Sequence, residues 1–250
     1  MGKIQGILFD LGDTILDFGP INTLELFARG ARLAYRHLQG LSQPLPPFEK
    51  FHRRQLRAVQ WHYMKSRFTR REFDSLDVLG RLAKKMGHDL TGAQVEELAW
   101  LWYEPLSRCV SIEDGLHAML ADLRRGGVRL GVVSNTFVPG TVLDRHLAKL
   151  GLLEYFPIRT YSCDVRYRKP DPRIFRLALE RMELPASATM FVGDKLVADI
   201  RGASRAGMIT VLKDPTGARR RRGIRPRHRI VSLGELPRIV AKYNQTTDPG

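Results

Sequence analysis

Apolar positions along the chain fall into two rhythms. Ile4 to Phe9 is a short apolar run, interrupted by Gly6 and ending on Asp10, and it reads as a strand. From Asp17 to Ser107 the spacing becomes helical. Leu24, Phe27, Ala31, Tyr35 and Leu38 recur on one face; Phe48, Phe51, Val59 and Tyr63 do so less cleanly. Phe73, Leu76, Leu79, Leu82 and Met86 repeat the pattern. A further helix opens at Thr91, with Gln94 three residues on as a capping box, and turns Val95, Leu98 and Trp102 inward. Pro44, Pro46 and Pro47 separate the first pair of helices, and Gly87 closes the third. This stretch predicts four helices packed as one unit. The aromatic residues Trp61, Tyr63, Trp100 and Trp102 are expected in its core.

Beyond residue 108 strands and helices alternate. The pattern predicts strands at Val128–Ser134, Ile158–Ser162, Met190–Gly193 and Ile209–Leu212. It predicts helices at Thr141–Leu150, Asp171–Arg181 (with Pro172 in the first turn) and Asp199–Ala206. Such alternation means a parallel sheet covered by helices. The strand at Ile4–Phe9 has nothing else to pair with, so it must join that sheet across the helical stretch. The expected architecture is α/β: a discontinuous, Rossmann-like core from residues 1–16 and 108–250, with a four-helix domain inserted over 17–107.

Composition narrows the partners. The 250 residues carry 41 Lys plus Arg against 26 Asp plus Glu, a formal charge of +15, with 43% hydrophobic and 27% charged residues. These shares are those of a globular protein, not a disordered one. No apolar run is long enough for a membrane span. Two distant cysteines, Cys109 and Cys163, form no metal or redox spacing, and the chain starts without a secretory hydrophobic stretch, so a reducing cytoplasm is the expected compartment. The excess positive charge favours anionic partners without choosing among them. Lys213–Arg229 holds one lysine, seven arginines and one aspartate, net +7, centred on Arg219–Arg222. It could collect anions at the mouth of a site, or touch nucleic-acid phosphates. A solvated loop is the favoured reading, because charge runs are often disordered and no zinc motif or aromatic platform accompanies the arginines.

In open α/β sheets reactive groups gather at the carboxyl ends of the strands. Here those ends carry Asp10-Leu11-Gly12-Asp13-Thr14, then Ser134-Asn135, a loop with Lys169-Pro170, and Gly193-Asp194 with Asp199 five residues on. A carboxylate can act as nucleophile and form an aspartyl-phosphate. Paired carboxylates can hold Mg²⁺, and a lysine with a hydroxyl can neutralise and orient phosphoryl oxygens.

Taken together and in this order, these segments resemble the four motifs of the haloacid dehalogenase-like hydrolase superfamily, and the helical stretch sits where that family carries a helical cap. The resemblance implies a Mg²⁺-dependent phosphoric monoester hydrolase acting on a small phosphorylated metabolite. It implies Asp10 as nucleophile and metal ligand, the Gly12 carbonyl and Asp194 as further ligands, and Asp199 in support of the metal. Ser134 and Lys169 would bind the phosphoryl group and Asn135 would help position it. One position departs from the pattern. The phosphatase motif places an acid/base aspartate two residues after the nucleophile, and here that residue is Gly12. Asp13, one residue later, is the candidate replacement, although adjacent residues leave a loop in different directions. A relocated acid/base, a slow enzyme and an inactive phosphate- or polyanion-binding protein all remain compatible with Gly12. So does a 2-haloacid dehalogenase-like reaction, whose enzymes also lack the second aspartate, although they need no Mg²⁺, which sits less well with Asp194 and Asp199.

Overall fold

The computed structural model describes residues 3–69 and 71–245. Strand β1 (Gly6–Phe9) is followed by the helices α1 (Thr23–Gly40), α2 (Phe48–Thr69), α3 (Ser75–Lys85) and α4 (Gly92–Ser107). Helix α5 (Leu116–Arg125), β2 (Arg129–Ser134), α6 (Gly140–Lys149), β3 (Ile158–Tyr161), α7 (Ser162–Val165) and α8 (Pro172–Met182) come next. Strand β4 (Thr189–Gly193), a π-helical turn (Leu196–Arg201), α9 (Gly202–Arg205), β5 (Ile209–Lys213), β6 (His228–Ile230) and α10 (Leu236–Gln245) complete the order.

All six strands run parallel, in the order β3-β2-β1-β4-β5-β6. β1 therefore lies between β2 and β4, pairing Phe9 with Val132 on one side and Val192 on the other. Helices cover both faces, so β1 is buried along its whole length and reads as a continuous apolar run. Alternate residues serve opposite layers. Ile7 and Phe9 join the core under α5, α6 and α10, while Leu8 joins Ile174, Phe175 and Phe191 beneath α8. Each fully buried residue of this kind contributes about 1.5–3 kcal/mol of transfer free energy.

The helical stretch leaves and rejoins the sheet at one point. Asp17 and Ser111 exchange two main-chain hydrogen bonds, each 2.9 Å, so its two connections lie side by side. Within it, α1 crosses α4 closely enough that a Cβ on Gly30 would lie 2.4 Å from the Trp102 carbonyl oxygen, which makes glycine obligatory there. Thr91 and Gln94 form the expected capping box. Helix α4 also rests on α6: the buried Trp100 ring carries Arg145 and Lys149 over its face, each 4.2 Å from the centroid.

Several elements differ from the sequence pattern. Helices α5 and α10 and the three-residue edge strand β6 were not marked by it. The helix expected at Asp199–Ala206 is instead the π turn followed by the four-residue α9. Trp61 is 68% exposed rather than in the core. The reason is that α2 carries apolar residues around its circumference, and only one face can meet its neighbours. The first and last residues of the predicted core ranges, 1–2 and 246–250, lie outside the described residues. Among the described residues no helix is long and apolar enough to cross a membrane.

Candidate active site

Three strand ends and one loop converge on a cavity of about 1080 Å³, lined by Asp10, Gly12, Ser134, Asn135, Lys169 and Asp199 among others. Asp10 is the first residue beyond β1. Its Oδ1 accepts from the Leu11 amide at 2.8 Å and lies 2.8 Å from Lys169 Nζ. Both of these contacts fall on Oδ1. Lys169 Nζ also stands 2.7 Å from Asp199 Oδ1, and Asp199 Oδ2 accepts from the Lys195 amide at 2.8 Å.

Local sequence explains how these groups are held. The loop bearing Lys169 stops where Asp171 caps α8, its carboxylate accepting from the Arg173 amide, with Pro172 in the first turn. Asn135, at the end of β2, donates from Nδ2 to the Lys169 carbonyl at 2.9 Å and accepts at Oδ1 from the Lys169 amide at 2.7 Å. Both ends of its side chain are therefore taken up by the main chain of Lys169. The side chain thus clamps the main chain of Lys169, the residue expected to bind the phosphoryl group. Asp199 is carried into the site by the π turn, a feature often found where a helix presents a functional group. It packs so tightly on Gly193 that a Cβ there would lie 2.6 Å from the Asp199 carboxyl carbon.

The acidic groups are close. Asp10, Asp194 and Asp199 are all buried, and each offers a carboxylate oxygen within 4.8 Å of those of the other two. Burial raises the Asp199 pKa to about 6 and pushes that of Asp194 upward as well. Burial alone would lower the Lys169 pKa, but the charges of Asp10 and Asp199 outweigh it and leave the ammonium more firmly protonated than usual. Three convergent carboxylates are hard oxygen donors, the set that a Mg²⁺-sized cation prefers. The residues present thus fit that ion.

Asp13 is placed apart. It opens a turn, takes a left-handed φ of 60°, and is half exposed, facing Lys195 at 3.7 Å. It is not among the residues lining the cavity. Ser134 is buried and lines the cavity.

The cavity also contains groups that sequence reasoning passed over. Arg168, Lys195, Arg201 and Arg205 give its wall positive charge, and Glu72, from the α2–α3 connection, adds a buried carboxylate. Glu72 takes a hydrogen bond from Ser162 and lies 3.4 Å from Arg168; burial raises its pKa. Arg168 and Lys195 adjoin the Lys169 and Asp194 motifs, and that adjacency was the available signal. Glu72 had none, because the helical connections carry no motif.

The basic segment is not simply a solvated loop. Asp214 is buried beneath it, paired with Arg229 and accepting from the Arg219 amide at 3.1 Å. The Arg219 guanidinium reaches Asp194 Oδ2 at 3.1 Å. The solvated reading fails at Arg219 and Arg229, where buried carboxylates supply the partners that composition could not show. It holds for Arg221 and Arg222, which remain exposed, whereas the exposed Arg220 lies 3.8 Å from Asp214 and donates to the Gly217 carbonyl.

A parallel α/β sheet thus carries a buried lysine and converging carboxylates at its carboxyl edge. The sequence profile of the haloacid dehalogenase-like hydrolases matches residues 4–207, and the chain belongs to that family. Haloacid dehalogenase-like hydrolase domain-containing protein 3 of Danio rerio is 33% identical over 178 residues, which is 68% of this chain and 63% of that protein, so the match spans less than two thirds of that relative. Glyceraldehyde 3-phosphate phosphatase of Methanopyrus kandleri is 29% identical over 210 residues, 83% of each chain. Among solved structures, a 2-haloacid dehalogenase from Pseudomonas syringae pv. Tomato DC3000 has a TM-score of 0.66 at 25% identity, covering 97% of this chain and 100% of that one.

Proposed function

We propose that this hydrolase cleaves small phosphoric monoesters through a phosphorylated Asp10. The observation that carries the reading is the convergence of Asp10, Asp194 and Asp199 around the buried Lys169. In the first step Asp10 Oδ2, the oxygen facing away from Lys169 and Leu11, attacks phosphorus. The bond from phosphorus to the ester oxygen breaks, and the departing oxygen takes a proton from water, since Gly12 supplies no acid side chain. Water then attacks the aspartyl-phosphate, releasing inorganic phosphate and restoring the carboxylate. Lys169 and Ser134 hold the phosphoryl oxygens, and Asn135 keeps Lys169 in place. Asp10, Asp194, Asp199 and the Gly12 carbonyl would hold Mg²⁺, which when bound neutralises charge on the transferring group. Helices α1–α4 serve as a cap over residues 17–107 that excludes water from the site. The similarity to the Methanopyrus glyceraldehyde 3-phosphate phosphatase supports the class of substrate and not its identity.

Gly12 favours a second reading, in which Asp10 attacks carbon and displaces halide. The two readings separate in one experiment. Phosphate release from a panel of monoesters is measured with and without Mg²⁺, with Asp10→Asn as control. Mg²⁺-dependent release that is lost in the variant is the expected result. Absence of release, with metal-independent turnover of a 2-haloacid, would replace it with the dehalogenase reading.

A further inference from the structure

Beside the charged cavity lies a second chamber of about 480 Å³ between the helices of the cap. Tyr63, Tyr103, Leu106, Phe137 and Val138 line both spaces, so the two are adjacent. Their linings differ sharply. The inner chamber is formed by side chains such as Leu56, Val59, Leu79 and Trp102, and its polar members Thr23 and Gln60 stand at the exposed rim. The Ser75 hydroxyl is already given to the Phe137 carbonyl. Among the described residues, one buried polar atom of this lining lacks a partner. Gln55 is 4% exposed, and its Oε1 is buried without a hydrogen-bond partner among the described residues. An unpaired buried acceptor is costly, and a ligand that donates to it removes the cost.

We propose that the chamber receives the organic part of the substrate, and that the substrate is a phosphate ester of a bulky, apolar, ring-sized alcohol or phenol bearing one hydrogen-bond donor for Gln55. This rests on the phosphatase reading for the phosphoryl end. The volume suits such a group, since ligand pockets run to about 300–1,000 Å³. A polyol or sugar phosphate would bury several hydroxyls against carbon and leave them unpaired.

The test uses the full chain and two variants outside the catalytic groups, Val59→Trp to fill the chamber and Gln55→Leu to remove its acceptor. Circular dichroism first establishes that both fold. Calorimetric titration with 2-naphthol, which has no phosphate, reads the chamber alone. Phosphate release from 6-hydroxy-2-naphthyl phosphate, 2-naphthyl phosphate and glycerol 3-phosphate reads the whole site. Aryl esters are intrinsically easier to cleave, so the informative quantity is the change on substitution. Val59→Trp is expected to weaken 2-naphthol binding and lower kcat/KM for both aryl esters by about tenfold or more while sparing glycerol 3-phosphate. Gln55→Leu is expected to weaken 2-naphthol binding and remove only the advantage of the 6-hydroxy ester. Ester turnover that neither variant alters, with no 2-naphthol binding, would overturn the chamber proposal and leave the phosphatase reading intact. Naphthol binding lost in Val59→Trp, with no ester cleaved, would uphold the chamber as an apolar-ligand site and overturn the phosphatase reading.

Discussion

The ammonium of Lys169 stands 2.8 Å from Asp10 Oδ1, with the two side chains 1% and 7% exposed. The same nitrogen is 2.7 Å from Asp199, which is fully buried. Three charges withdrawn from water are stable only as a set, because each pays a large desolvation cost that its partners offset. The lysine is therefore a condition for burying the two carboxylates side by side, whatever else it binds.

Removing that cation should be expensive. Lys169→Met leaves Asp10 and Asp199 buried against each other, and breaking a buried pair typically costs about 3–5 kcal/mol. Calorimetry should show a clear fall in Tm. Millimolar Mg²⁺ should recover part of it, because a ligand that binds only the folded state stabilises that state. A variant that melts like the parent, or one indifferent to Mg²⁺, would contradict the ion cluster as described.

Gly12 can be tested by restoring what the phosphatase motif normally carries. Its φ is not left-handed, and a Cβ there would meet nothing nearer than Phe18 Cε2 at 3.7 Å, an ordinary contact. Gly12→Asp should therefore fold. General acid–base assistance is worth about 10²–10⁴-fold, and kcat for a poor leaving group should rise toward that range. Asp13→Asn should leave the rate unchanged, since Asp13 lies outside the cavity lining. A large loss in Asp13→Asn would show that the turn rearranges to bring this carboxylate to the substrate.

The basic loop makes a separate prediction. Asp214 has its burial offset by the Arg219 amide, the Thr216 hydroxyl and the nearby Arg229 and Arg219 charges, which together hold its pKa below the usual carboxylate range. Asp214→Ala removes the common anchor of residues 215–229. Limited trypsin digestion should then cut at Arg219–Arg222 faster than in the parent at equal global stability. Unchanged digestion would mean that the Arg219 contact with Asp194 is sufficient to order the loop.

How far the fold could be read from the chain depended on local periodicity. β1 was legible because a buried parallel strand is a continuous apolar run, and its carboxyl end then located Asp10. Helix α4 was legible through the Thr91–Gln94 capping box. Lys169 and Asp199 were legible only through motif order, since a Lys-Pro pair and an aspartate at a helix start are commonplace alone. Helix α5 starts at a left-handed Gly115 without a side-chain cap, and β6 is three residues long, so neither left a mark. The pairing of Arg219 with Asp194 spans 25 residues and depends on sheet order, which charge counting does not encode. Gln55 and Glu72 became visible only when helices from separate parts of the chain closed around them.

The last prediction concerns acid stability. His146, on α6, is buried with its Nδ1 3.0 Å from the Tyr103 hydroxyl of α4. Burial, reinforced by Lys149, lowers its pKa from 6.5 to about 4. Above pH 6.5 the imidazole is neutral in both folded and unfolded chains, and the full stability is present. Below 6.5 the unfolded chain takes up a proton that the folded chain refuses until about pH 4. Stability is therefore lost progressively as pH falls between those values, by up to about 3 kcal/mol from this group. Because the residue lies where α4 rests on α6, the loss loosens the seat of the cap on the core. Urea denaturation at intervals from pH 7.5 to 4.5 should show a steeper decline for the parent than for His146→Gln, whose side chain does not titrate. Parallel declines for the two proteins would mean that His146 does not govern the acid response.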